Sequence, residues 1–192
     1  MTKRELYEKA YDMLDKITPL RSDCGELCSR ACCDSSDEEA GMYLFPGEEV
    51  MYSRVPDWLR IRESSFTCSG GKPVLVAICN KQCERTLRPL SCRIFPLTPY
   101  IGSNGVLKVK IDPRAVPICP LAKSYMSGRL RLHKEFIHAV EDVFKLLAED
   151  EEIVAYIKDL SGLIDEYESI VISFTAGQGK RRSSRAIRRS GE

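Results

Sequence analysis

Cys24-Gly-Glu-Leu-Cys28-Ser-Arg-Ala-Cys32-Cys33 places four cysteines in ten residues near the start of the chain. Five more stand at Cys68, Cys79, Cys83, Cys92 and Cys119, so all nine fall in the first two thirds of the 192 residues. Thiolate sulfur binds zinc, iron or copper(I) far better than carboxylate or amide oxygen does, so thiols packed this densely point to a soft metal ion. Their neighbours are polar, as in Asp23-Cys24-Gly25, Cys33-Asp34 and Gln82-Cys83-Glu84. That is loop or helix-end chemistry, unlike the apolar setting of cysteines buried as small hydrophobes. The expected ligands are Cys24, Cys28, Cys32, Cys33, Cys79, Cys83, Cys92 and Cys119. The role of Cys68 stays open.

Four thiolates about 2.3 Å from one zinc ion stand only about 3.8 Å from one another, so ligands must converge tightly. Cys24 with Cys28, Cys32 or Cys33, and Cys79 with Cys83, give pairs joined by short backbone, whereas Cys92 and Cys119 must arrive from elsewhere in the fold. Metal binding would then contribute to folding itself. Zinc and an iron–sulfur cluster, 4Fe–4S as the expected form, remain alternatives because both accept four cysteines. His133 and His138, the chain's two histidines, lie five apart on one expected helix and face different ways, which leaves sulfur as the ligand. Eight thiols suit one cluster with spare ligands, two clusters, or a zinc pair. A four-cysteine site around a +2 centre carries a net charge near −2, costly to bury without cations nearby. Arg85, Arg88 and Arg93 flank Cys83 and Cys92, and one or more of them is expected to neutralise it.

The elements that must position these thiols read as α+β: a small, mostly helical domain with a short β-hairpin or small antiparallel sheet, organised around the cysteines. Leu6, Tyr7, Ala10, Tyr11, Leu14 and Ile17 recur at helical spacing over residues 3–17, and Pro19 stops that helix. Ser22-Asp23 could cap a second short helix carrying Cys24, Cys28 and Cys32 on one face, a coiled loop being the alternative. Residues 34–39 form a polar loop, residues 47–53 a short helix after Pro46-Gly47, and residues 58–62 a half-buried strand. Residues 73–78 read as a buried strand delivering Cys79. Residues 94–101 and 106–111 flank Gly102-Ser103-Asn104-Gly105 as a hairpin, with Pro96 and Pro99 confining its first arm to an edge. A strong helix follows over residues 130–147, then two more over 153–160 and 163–172.

Composition bounds the partners. Twenty-nine basic against 28 acidic residues leave a net charge of +1, which removes any whole-chain argument for nucleic acid or an anionic membrane. One domain is expected over residues 1–176, with a basic disordered tail over 177–192. Within that tail Lys180, Arg181, Arg182, Arg185, Arg188 and Arg189 either contact RNA, DNA or anionic lipid through counterion release or stay solvated. The first residues mix charges where a secretory signal needs an unbroken apolar run, and no window approaches the roughly 18 apolar residues of a spanning helix. A cytoplasmic protein without a membrane anchor is expected, in which reducing conditions would not sustain disulfides.

Cys24-x3-Cys28-x3-Cys32-Cys33, Leu44-Phe45-Pro46-Gly47-Glu48-Glu49 and Cys83-x4-Arg88-Pro89-x2-Cys92-Arg93-x2-Pro96 together resemble the YkgJ-like cysteine-cluster family. That family is described as chelating zinc or iron and is marked by a CxxCxxCC run and a C…RPxxCR segment. The resemblance spans residues 24 to about 120 and implies a metal-binding domain. Spacings in the first run are one residue longer than the family's pattern, and Cys79 with Cys83 stands where the family has one cysteine. The family includes flagellin lysine methylases, so a protein lysine N-methylase acting with S-adenosylmethionine is the alternative function. This chain has no glycine-rich strand-to-helix turn for that cofactor. A radical S-adenosylmethionine site needs Cys-x3-Cys-x2-Cys, and Ala31 occupies the third position. The expected function is a metal-binding protein serving electron transfer, sensing or structural support of an unknown protein partner.

Overall fold

Helix α1, Lys3–Met13, opens with a reciprocal cap: Thr2 Oγ1 accepts from the Glu5 N–H at 3.3 Å and the Glu5 carboxylate accepts from the Thr2 N–H at 2.8 Å. Its inner face buries Leu6, Tyr7, Ala10 and Tyr11. The helix ends at Met13, short of Ile17, because the following carbonyls are taken by another segment. The Arg85 guanidinium donates to the carbonyls of Leu14, Asp15 and Ile17 at 3.2, 2.6 and 2.9 Å.

The computed structural model describes residues 1–22, 24–33, 41–80 and 83–187, with 174–187 as helix backbone. Helix α2 is Cys24–Cys28, followed by a tight turn over Ala31–Cys33. Ser29 and Arg30 lie between them with φ of 50° and 57°, in the left-handed region. Cys32 therefore leaves the face that Cys24 and Cys28 share, contrary to the single-helix expectation. Strands β1 (Met42–Tyr43), β2 (Leu59–Thr67) and β3 (Pro73–Cys79) form an antiparallel sheet in the order β1-β3-β2. Its register pairs Leu59 with Cys79 and both Ile61 and Met42 with Ala77, so the sheet end that carries Cys79 faces Leu59. The polar loop expected at 34–39 lies outside the described residues, as does Asp23.

Helix α3, Leu90–Ile94, carries Cys92, and strands β4 (Leu97–Ile101) and β5 (Leu107–Ile111) make the expected hairpin. Gly105, at φ 72°, donates to the Gly102 carbonyl and closes the turn. Residues 94–96 precede the first arm instead of belonging to it, since Ile94 completes α3. Helix α4 is Pro120–Met126 and α5 is Lys134–Leu147. The α5 positions Phe136, Val140, Val143, Phe144 and Leu147 are fully buried and form the centre of the core with Tyr7, Leu14, Ile153, Ile157 and Ile164. Phe45 packs between the Phe144 and Tyr156 rings, with centroids at 5.2 and 5.4 Å.

Helix α6 runs unbroken from Glu151 to Ile187, where two helices were expected. One glycine inside a helix costs only about 1 kcal/mol, too little to break it when Ile157, Leu160 and Ile164 bury on both sides of Gly162. The same helix crosses the 176/177 boundary drawn from composition, and residues 188–192 lie outside the described residues. Ser161, buried in α6, accepts from the Ile101 N–H at 2.9 Å and donates to the Ile157 carbonyl at 2.6 Å, tying the helix to β4. Ser161→Ala leaves the Ile101 N–H unpaired in the core and is expected to cost about 1–2 kcal/mol, read from the urea midpoint. An unchanged midpoint would remove that tie from the account. Helices and small antiparallel sheets in one chain agree with the α+β expectation. Among the described residues, no helix is long and apolar enough to cross a membrane.

Candidate metal centre

Where β3 ends, the chain enters the segment that carries Cys83, Arg88 and Cys92, and α3 turns Cys92 back toward the sheet. A cavity of about 380 Å3 opens there. Its wall includes Cys32, Cys33, Cys79, Cys83 and Cys92 together with Arg88, and Met42, Leu59, Ala77, Phe95 and Ile118 complete it with apolar surface. Four separate chain segments thus deliver five thiols to one space. Cys32 and Cys33 have their Sγ atoms 3.9 Å apart, close to the roughly 3.8 Å edge of a tetrahedral four-sulfur site.

The thiols act on one another. Burial pushes the Cys92 thiol well above its ordinary pKa, and the neighbouring Cys79, Cys33 and Cys83 push it further while Arg88 pulls it back. The Cys32 thiol is raised first by its hydrogen bond with Cys33, then by burial and by the nearness of Cys33, Cys92 and Cys24. Crowding of this kind makes several thiolates expensive together without a cation. A dication reverses that balance, since coordinated thiols are deprotonated outright.

Arg88 stands at the centre of this group. Burial works against its charge, but Cys83, to which it hydrogen-bonds, and then Cys92 and Cys33 outweigh burial and raise its pKa. Its Nε is buried and has no hydrogen-bond partner among the described residues. One or more of the three arginines was expected to neutralise the site; the other two are held elsewhere. Arg85 holds the end of α1, as above. Arg93, 5 % exposed, stacks 4.2 Å from the Tyr11 ring centroid and donates to the carbonyls of Arg88, Arg85 and Thr86 at 2.8 Å each. Both satisfy backbone acceptors: Arg85 those that follow α1, and Arg93 those of the segment 84–90, which has no sheet or long helix to pair its carbonyls. Arg93→Ala is expected to lower global stability by about 2–3 kcal/mol through those orphaned carbonyls. Chemical denaturation measures it, and a loss under half that size would contradict the role.

The remaining cysteines are outside this cavity's wall. Cys24 packs half-buried against the main core, near enough for Cys32 to feel it, and Cys28 donates to the Cys24 carbonyl at 3.4 Å. Cys119 is 6 % exposed, within the main core at the start of α4, with Ile118 and not Cys119 on the cavity wall. Pro120 and the buried Leu121 and Ala122 direct that turn inward. Cys68 borders a separate cavity of about 340 Å3 beside Lys72, Glu152 and Asp159, where burial and then the two carboxylates raise its thiol pKa. His133 precedes α5 and faces Glu135 at 3.7 Å, and His138 is exposed. Neither reaches the cavity.

The donor chemistry at the cavity fits a thiophilic metal centre, and the unpartnered Arg88 Nε fits a site whose occupied form is anionic. Among the described residues, however, no three cysteine, histidine, aspartate or glutamate side chains are drawn together tightly enough to hold a metal ion. The five thiols share a space; they do not yet form a closed coordination sphere.

One residue of the neighbourhood was not singled out from the sequence as functional. Glu48, fully buried, sits directly beneath this segment, and its signal was present in the motif Leu44-Phe45-Pro46-Gly47-Glu48-Glu49. An acidic residue inside a turn reads as solvated until its tertiary partners are known. Searches against protein-family models, curated proteins and solved structures find no match to this chain.

Proposed function

We propose that the protein is a metal-binding protein whose clustered cysteines hold an iron–sulfur cluster or zinc, with Cys33, Cys79, Cys83 and Cys92 as the first set of ligands and Cys32 beside them. The observation that carries this reading is the meeting of five thiols from four chain segments around Arg88 in one cavity. The motif resemblance to the YkgJ-like cysteine-cluster family points the same way. An all-sulfur donor set with no imidazole suits either group, and a bound cluster would supply one-electron chemistry where zinc would supply structural closure.

The residues have separable tasks. Cys79 and Cys83 bring the end of the sheet to the centre, Cys92 brings α3, and Cys33 brings the amino-terminal segment. Closing these onto one ion joins parts of the chain that otherwise share few contacts, so metal is expected to raise stability as well as to fill the site. Arg88 offsets the negative charge of the filled site, and the apolar wall limits water around it.

Purification without oxygen, followed by metal and acid-labile sulfide analysis and a visible spectrum, tests the proposal. Iron with sulfide and a broad charge-transfer band supports the cluster; colourless protein with stoichiometric zinc supports the structural site. Folded protein that carries neither, and takes up neither on reconstitution, overturns both.

A further inference from the structure

We infer that Glu48 is a positioning residue for the sulfur centre, its buried carboxylate setting where the segment that carries Cys92 and Arg88 stands. The inference rests on the metal-binding reading for its purpose, though not for its geometry. Glu48 is 0 % exposed and accepts hydrogen bonds from three elements. Oε1 accepts from the Leu90 N–H at 2.6 Å and from the Tyr11 hydroxyl at 2.7 Å, and Oε2 accepts from the Phe45 N–H at 2.9 Å.

The Leu90 contact is the informative one. Leu90 is the first residue of α3, and the first N–H groups of a helix have no partner within it. Pro89, at the cap position, has no side chain able to supply one. Glu48 supplies it from 42 residues earlier in the chain. Two residues on, Cys92 and Arg93 both donate to the Pro89 carbonyl at 3.0 Å, so fixing Leu90 fixes the turn that aims Cys92 at the cavity.

The same carboxylate reaches Arg88 by a second route. Tyr11 Oη lies 3.0 Å from Tyr52 Oη, and Tyr52 donates to the carbonyl of Leu87, the residue before Arg88, at 3.1 Å. Arg93, inside the segment, braces it through the Arg85, Thr86 and Arg88 carbonyls. Residues 85–93 are therefore held at Leu90 by Glu48, at Leu87 by Tyr52 and internally by Arg93. A carboxylate so enclosed is costly to bury, and an apolar side chain of similar volume often serves a core as well, which makes its placement under this segment specific.

Glu48→Gln tests the role with almost no change of volume. The Leu90 and Phe45 N–H groups bond to different oxygens of Glu48, and an amide puts an NH2 donor in place of one of them, so one of the two N–H groups loses its acceptor. In reduced, metal-free protein, iodoacetamide should alkylate Cys92 about tenfold faster than in wild type, with Cys119 in the main core unchanged, as read by peptide mass spectrometry. As purified, the variant should release its metal to EDTA about tenfold faster. Equal acceleration at Cys92 and Cys119 would mean a general loosening and would overturn the inference, as would no acceleration at either. Should E48Q fail to fold, Tyr52→Phe removes the bond to Leu87 together with the contact to Tyr11 while leaving the Glu48 carboxylate in place; faster metal release with Cys119 still protected supports the role, and wild-type behaviour overturns it. Wild-type protein that binds no metal would instead sink the metal reading, and the alkylation contrast would still decide the placement of Cys92.

Discussion

Cys92→Ser is expected to remove metal from the purified protein almost completely. Cys92 lies among other thiols: Cys79, Cys33 and Cys83 all bear on it, and Arg88 stands beside it. A serine hydroxyl keeps the volume but remains protonated at neutral pH and is a hard donor, so it does not replace thiolate for zinc or iron. Losing an outer partner of a metal site commonly costs about 10- to 100-fold in affinity, and losing one of four ligands costs more. Metal content per chain should therefore fall to the background of the assay. Cys68→Ser and Cys119→Ser are the controls, since one borders a different cavity and the other lies in the core. Cys119→Ser should cost about 1–3 kcal/mol of stability by burying a hydroxyl, yet keep its metal. Full metal content in Cys92→Ser, or equal loss in the Cys68 control, would contradict the assignment.

Arg88→Ala is expected to weaken metal binding by about 10- to 100-fold while leaving the fold intact. Its guanidinium bonds to Cys83 and lies among Cys92 and Cys33, and its buried Nε has no partner among the described residues. Among the described residues, no backbone carbonyl depends on Arg88 in the way that three depend on Arg85 and several on Arg93. Arg88→Lys should recover part of the loss, because the charge remains while the planar fork is gone. Competition against a chelator of known affinity reads the effect, with thermal unfolding as the control. Unchanged affinity in Arg88→Ala would make this arginine a surface charge.

Where local chemistry was strong, the sequence was readable. The periodicity of Leu6, Tyr7, Ala10 and Tyr11, the Gly102 to Gly105 turn and the apolar run ending at Cys79 each specify their element by short-range rules, and the structure has all of them. Cys32, Cys33, Cys79, Cys83 and Cys92, five of the eight thiols singled out from the sequence, line one cavity. Long-range partners were not readable. Arg85, Arg88 and Arg93 look alike in sequence, and only the carbonyls of Leu14, Asp15 and Ile17 or the Cys83 thiol distinguish what each one holds. The burial of Cys119 in the main core was not readable either, because the residues that enclose it come from distant parts of the chain. Glu48 was missed for the same reason, since its three donors come from Tyr11, Phe45 and Leu90. Ser29 and Arg30 adopt a backbone conformation that no residue type there announces, and it is this bend that separates Cys32 from the helix of Cys24 and Cys28.

X-ray absorption at the metal edge of anaerobically purified protein tests the central claim most directly, because it reads the atoms around the ion without crystals. A first shell of sulfur at about 2.3 Å, with the nitrogen signature of imidazole missing, is the predicted result. A shell dominated by oxygen or nitrogen, or protein that stays folded with no edge to measure, would contradict the claim that these thiols meet around one inorganic centre.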